Sequence, residues 1–168
     1  MSDLQRAPLA EFVGSGELDA LSRQAASLPR LRLNRNFHRS DEALCQRLLN
    51  AIEPGSYIRP HRHVEEGKEE TLVVIRGRMG LVLFDAEGAV RQAVALGPDE
   101  ESMLVHIPLG TFHTWISLQS GSVFFEAKAG PYRPLGPREV ASWAPAEGDP
   151  KAAEFLASLS RLFVMEGA

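Results

Sequence analysis

The sequence predicts a mainly β, single-domain protein, a sandwich or barrel of short strands with a short helix towards each end. Three observations predict it. Short apolar, β-branched runs recur between residues 45 and 128, separated by turn residues such as Ala86-Glu87-Gly88, Gly97-Pro98-Asp99 and Gln119-Ser120-Gly121. Helical periodicity is confined to one stretch near each end. A length of 168 residues, with 44% hydrophobic and 24% charged side chains, suits one domain with its own core.

Taken in order, residues 16–28 place Leu18, Leu21, Ala25 and Leu28 three or four apart, the spacing of an amphipathic helix, which Pro29 ends. Leu31, Leu33 and Phe37 then alternate with Arg32, Asn34, Asn36 and His38, a strand with one polar face. From alternation alone that face is an exposed edge; it can also line the mouth of a pocket. Ser40-Asp41-Glu42 offers a cap for a helical turn. Cys45–Ile52 fits neither period well and reads as a strand, because Pro54-Gly55 is a strong turn signal before the next segment. Further strands are expected at 70–75, 80–85, 89–96, 102–107, 112–118 and 122–128. Residues 130–137 are too rich in proline and glycine for regular structure and form a closing loop. Asp149 suits an N-cap and Pro150 a first helical position, and Phe155, Leu156, Leu159, Leu162 and Phe163 make an apolar stripe. The stripe packs on its own domain or in a homodimer interface. The expected division is a helical extension over 1–30, a barrel over 31–130, and a closing loop with the C-terminal helix over 131–168.

Bulk properties exclude several classes. A net charge of −4 gives no reason to expect nucleic acid or an anionic membrane as partner. The lone Cys45 forms no intrachain disulfide and reads as a small core residue. Met1–Pro8 lacks the apolar region of a signal peptide, and no stretch approaches the ~20 apolar residues of a membrane span. The cytoplasm is the expected location.

The chemistry gathers between Gly55 and Gly77, with one contribution from downstream. His61 and His63 are two apart, so on an extended strand their imidazoles share a face, and by the same parity Tyr57 and Arg59 share it too. A hairpin after Gly67 brings Glu70 beside them, and Pro108–His113 supplies His113 just after a turn. Alone, His61 is more often a hydrogen-bonded or surface histidine. Three imidazoles and a carboxylate together make a site for one divalent first-row metal. Imidazoles suit iron, nickel, zinc and copper, and the carboxylate oxygen admits manganese. Four protein ligands on a six-coordinate ion leave two positions open. A closed structural zinc site is the alternative, although such sites mostly use cysteine. Of the nearby glutamates, parity selects Glu70, which shares a face with Leu72 and Val74, over Glu69, which shares one with Thr71 and Val73. His106 is expected on the outer face or as a supporting group. Arg47 and Arg59 are the guanidiniums expected at the pocket, where they can pair with an anion. Glu126 and Lys128 share a strand face, either as an exposed ion pair or as pocket groups.

These motifs carry a resemblance. Gly55, five residues, His61-x-His63, then Glu70, six residues, Gly77 resembles the first cupin motif, and Pro108-x-Gly110-x-x-His113 resembles the second. The loop from His63 to Glu70 is longer than usual, and Ser117 stands where an asparagine is often found. Over roughly 32–147 the chain is also similar to the WbuC family of cupin-fold metalloproteins, through Arg32–His38, Gln46–Asn50, Tyr57–His63, Phe125–Tyr132 and Trp143–Glu147. The resemblance implies a cupin jelly roll, a single metal on His61, His63, Glu70 and His113, and a link to bacterial surface-polysaccharide (O-antigen) gene clusters. It also draws Asn36, His38, Glu126 and Lys128 towards the pocket. The expected ligand is a small anionic or sugar-derived molecule. Two functions stand: a metal-dependent enzyme of unsettled reaction, and a binding module in which no bond changes.

Overall fold

The computed structural model describes residues 10–164. Met1–Pro8, read above for its lack of a signal-like region, lies outside them, as do the far ends of the 1–30 and 131–168 segments. Helix α1 spans Ser15–Ser27. Eight strands follow: β1 Arg32–Asn36, β2 Cys45–Ile52, β3 Glu70–Arg76, β4 Met79–Phe84, β5 Val90–Leu96, β6 Leu104–Ile107, β7 Phe112–Ser117 and β8 Ser122–Ala129. Helix α2 spans Ala152–Ser160 and runs into a 3-10 turn, Arg161–Phe163.

The strands form two antiparallel sheets, ordered β1-β2-β8-β3-β6 and β5-β4-β7. Their facing sides share a core of Ile52, Leu72, Val74, Met79, Leu81, Leu96, Ile107, Trp115 and Phe124. The architecture is a single-domain jelly roll with flanking helices. Each sheet also needs cover for its other face. Helix α1 lays Leu21 and Ala25 over Leu49, Ala51 and Val123 of the larger sheet. The C-terminal stripe does the same for the smaller sheet, setting Leu156 and Leu159 with Val82, Phe84 and Ile116, so it packs on its own domain. The Asp149 carboxylate accepts the Lys151 N–H at 2.8 Å, but the N-cap of α2 is Lys151 and Pro150 lies before the helix, which starts two residues later than expected. Gly77, at φ +77°, turns β3 into β4 where a Cβ would stand 2.8 Å from the Ser122 Cα, so the turn requires glycine.

The structure departs from expectation elsewhere too. Ser40-Asp41-Glu42 makes a short turn, with Ala43 N–H donating to Ser40 O at 3.1 Å, and no helix. Cys45 is exposed, because it lies at the start of β2 on the outer face. Residues 53–69 do not form a regular strand: their ladder contacts are two isolated bridges at His61, to His113 and Val140.

Candidate metal centre

That irregular segment is fixed by its neighbours. His61 N–H donates to His113 O at 3.0 Å and His113 N–H returns to His61 O at 2.8 Å, so the segment docks on β7 through the two histidines themselves. On its other side Arg62 N–H reaches Glu139 O (2.8 Å) and Ala141 N–H reaches Pro60 O (2.9 Å). Gly110 N–H holds His63 O at 2.8 Å. The turn before β7 and the loop after β8 thus set the positions of both histidines.

Glu70 opens β3 on its inward face, ahead of the buried Leu72 and Val74, and is only 4% exposed. Its Oε1 lies 2.9 Å from His63 Nε2, and His61, His63 and Glu70 offer donor atoms all within 4.8 Å of one another, a group that can hold one metal ion. His113 sits beside this group, 1% exposed, with Nε2 3.3 Å from Glu70 Oε2. The rings of His61 and His113 are 4.5 Å apart. Both put Nδ1 against the carbonyl two residues earlier, Arg59 O at 3.1 Å and Thr111 O at 2.9 Å. A carbonyl only accepts, so Nδ1 carries the proton and Nε2 is left with its lone pair towards the site. His113 Nε2 is buried without a hydrogen-bond partner, which costs free energy unless a ligand or ion meets it. The residues present therefore fit a metal.

Electrostatics prepare the same state. Burial pushes the His61 imidazole down to about 3, so it stays neutral across the physiological range. Burial works against the Glu70 carboxylate, but the adjoining His113 and His63 imidazoles and the charge of Lys128 hold it well below the usual carboxylate range. Lys128 Nζ bridges two buried carboxylates, Glu70 Oε1 at 2.8 Å and Glu126 Oε1 at 2.7 Å. The Asn50 amide donates to Glu126 Oε2 at 2.9 Å. Burial raises the Glu126 carboxyl, and Lys128, despite its own burial, is raised by the two carboxylates.

His61 yields a pH prediction. The unfolded imidazole titrates near ~6.5, above its folded value of about 3, so the unfolded chain binds more protons between the two. Metal-free stability is therefore full above about pH 6.5 and falls as the pH drops towards 3. The raised Glu126 carboxyl acts in the opposite sense, and the lowered Glu70 carboxyl adds to the loss from the usual carboxylate range downward. A urea series from about pH 7 to 4 should show the loss, and His61→Gln should flatten it. Equal slopes for both proteins would refute the assignment.

The remaining expected site residues divide. Lys128 lines the cavity of about 180 Å³ over the histidines, together with Gln46, Tyr132 and Glu139. Asn36, His38 and Glu126 line a neighbouring cavity of about 230 Å³, which Lys128 also borders. Tyr57, Arg59 and Arg47 are elsewhere. The Tyr57 hydroxyl donates to Pro145 O (2.7 Å) and its ring meets Phe155. Arg59 donates through Nε and Nη2 to Ala141 O, at 3.0 and 2.6 Å. Strand parity failed for both because their segment is not a strand. Arg47 is exposed, on the face of β2 that points away from the pocket. His106 is on the outer face of β6, with Nδ1 3.0 Å from Thr71 Oγ1. Sequence reasoning missed Gln46, Tyr132 and Glu139 as pocket groups. For Glu139, in a loop without periodicity, the sequence carried no signal.

Several solved structures are similar to this chain, and the two with TM-scores above 0.5 carry the same fold. The polyketide cyclase RemF from Streptomyces resistomycificus is 21% identical with a TM-score of 0.54, the match covering 76% of this chain and 83% of that one. The conserved SPY1581 protein of unknown function from Streptococcus pyogenes is 10% identical with a TM-score of 0.51, covering 76% and 93%. A cupin superfamily protein from Desulfitobacterium hafniense is 13% identical with a TM-score of 0.45, covering 58% and 76%. No curated protein matches the sequence. Among the described residues, no helix is long and apolar enough to cross a membrane. A family model described as "Domain of unknown function (DUF6016)" matches residues 13–96, half of the chain, and the chain belongs to that family.

Proposed function

We propose that this protein holds one divalent transition metal through His61, His63, Glu70 and His113, and acts on a small anionic, oxygen-rich molecule in the adjoining cavity. The observation that carries the reading is the buried, unpartnered His113 Nε2 beside the His61-His63-Glu70 group. The metal is iron, nickel, zinc or manganese. When bound, it supplies Lewis-acid polarisation of a ligand oxygen. The chain's own groups do the rest. Nδ1–H bonds to backbone carbonyls orient two of the imidazoles, Glu70 offers a carboxylate oxygen, and Lys128 with Glu126 forms a pair able to hold or move a proton beside the ligand. That pair favours turnover over the alternative, a binding module in which no bond changes. With Tyr57 and Arg59 engaged by the C-terminal segment, the groups left at the cavity to attract an anion are the metal, Lys128, Lys68 and Arg133. The resemblance to the WbuC family supports a ligand derived from a sugar and a place in bacterial surface-polysaccharide metabolism.

A thermal-shift comparison of nickel-loaded and metal-free protein tests this. Sugar acids and small dicarboxylates should stabilise the loaded form and leave the metal-free form unmoved. Stabilisation by neutral apolar compounds, with none from anions, would overturn the reading. Turnover of a stabilising ligand separates enzyme from binding module.

A further inference from the structure

Two cavities adjoin at this end of the jelly roll. The cavity over the histidines holds about 180 Å³ and its neighbour, towards β1, about 230 Å³. Each alone is below the roughly 300 Å³ at which small-molecule sites begin. They share Gln46, Lys128 and Tyr132 as common walls, and a ligand reaching across those walls would have a volume in that range. Lys128 lies at the junction, fixed between Glu70 on the metal side and Glu126 on the other.

The two halves differ in chemistry. The first is built for an electron-rich oxygen on an ion. The second presents the amides of Asn34 and Asn36, the His38 ring and the Tyr132 phenol, along with Asp41 and Glu126. Asn34 and Asn36 are exposed at the edge strand β1, on the cavity side, opposite Asn50 and Leu48 of β2. The side chains of Asn34, Asn36 and Tyr132 are open to solvent at this cavity and so free to meet a ligand. Amides and a phenol both donate and accept, which matches hydroxyl groups. The two carboxyl groups repel a second anionic group there. The orientation follows: the charged end at the metal, the hydroxyl-bearing end beside β1.

The geometry points to a single polyhydroxylated acid of about five or six carbons spanning both cavities, its carboxylate at the metal centre and its hydroxyls on Asn34, Asn36 and Tyr132. This rests on the metal-centre reading above and assigns the polar cavity as the subsite that selects ligand length and hydroxylation.

Calorimetric titration of nickel-loaded protein, its metal content checked by elemental analysis, tests the assignment with three probes. Glycolate reaches the metal half alone, five- and six-carbon aldonic acids fill both halves, and hexanoate has the length without the hydroxyls. At least one aldonic acid should bind about tenfold or more tighter than glycolate, the equivalent of one or two additional net hydrogen bonds. The double variant Asn34→Leu/Asn36→Leu should lose that excess while glycolate binds as before. If glycolate binds and no aldonic acid exceeds it, the spanning subsite is wrong and the metal centre stands. Hexanoate equal to the aldonic acids, or a variant that weakens glycolate equally, overturns the subsite in the same way. Glycolate failing to bind metal-loaded protein overturns both.

Discussion

Glu70→Gln should lower metal affinity by at least ~10-fold, and Glu69→Gln should leave it unchanged. The expectation comes from where β3 begins. Glu70, Leu72 and Val74 are buried on the inner face, and Glu70 meets His63 Nε2 at 2.9 Å and His113 Nε2 at 3.3 Å. Replacing its carboxylate by an amide removes the negative charge and the anionic oxygen offered to the ion. Disturbing even a supporting partner of a metal ligand typically costs 10–100-fold. Glu69 precedes the strand and has the opposite parity, and a one-residue change of register moves a side chain to the other face. Competitive titration of zinc or nickel against a chromogenic chelator reads both variants. A reversed order would place the register of β3 one residue away.

The second large effect is on stability. Lys128→Met should destabilise the metal-free protein by about 3 kcal/mol, because it strands two buried carboxylates, Glu70 and Glu126, without their shared cation. Adding Glu126→Gln to that variant should recover part of the loss, since one of the uncompensated charges is then gone. Urea unfolding of the wild type and both variants gives the values. A loss under about 1 kcal/mol for Lys128→Met, or no recovery in the double variant, would show that the bridge does not act as one unit.

Much of this fold was legible because its strands are short and marked off by turns. Gly77, Gly88 and Gly121 each adopt positive φ at a strand connection, which is why they read as punctuation. Glu70 was legible for a different reason: the apolar Leu72 and Val74 that follow it on one face fix which way it points. Tyr57 and Arg59 were misread because period-2 reasoning needs a ladder, and residues 53–69 have only isolated bridges, at His61. Pro60 lacks the N–H a strand would use, and carbonyls of the C-terminal segment, at Pro145 and Ala141, take the Tyr57 and Arg59 side chains instead. Arg47 and Cys45 were misplaced because β2 is apolar on both faces. Leu49 and Ala51 serve the contact with α1, so composition alone does not tell the inside of that strand from the outside. The polar cavity draws Asn36, Gln46, Glu126 and Tyr132 from four separate stretches of chain, a proximity set by pairing β1 to β2 and β2 to β8.

The most direct measurement is the metal content of three purified proteins, each offered nickel or zinc in slight excess and then desalted. Wild type and His106→Ala should each retain close to one ion per chain, since His106 faces outward against Thr71. His113→Ala should lose most of its metal, because it removes the buried nitrogen that has no other partner. Equal retention by all three proteins, or no uptake by the wild type, would contradict a metal centre built on His61, His63, Glu70 and His113.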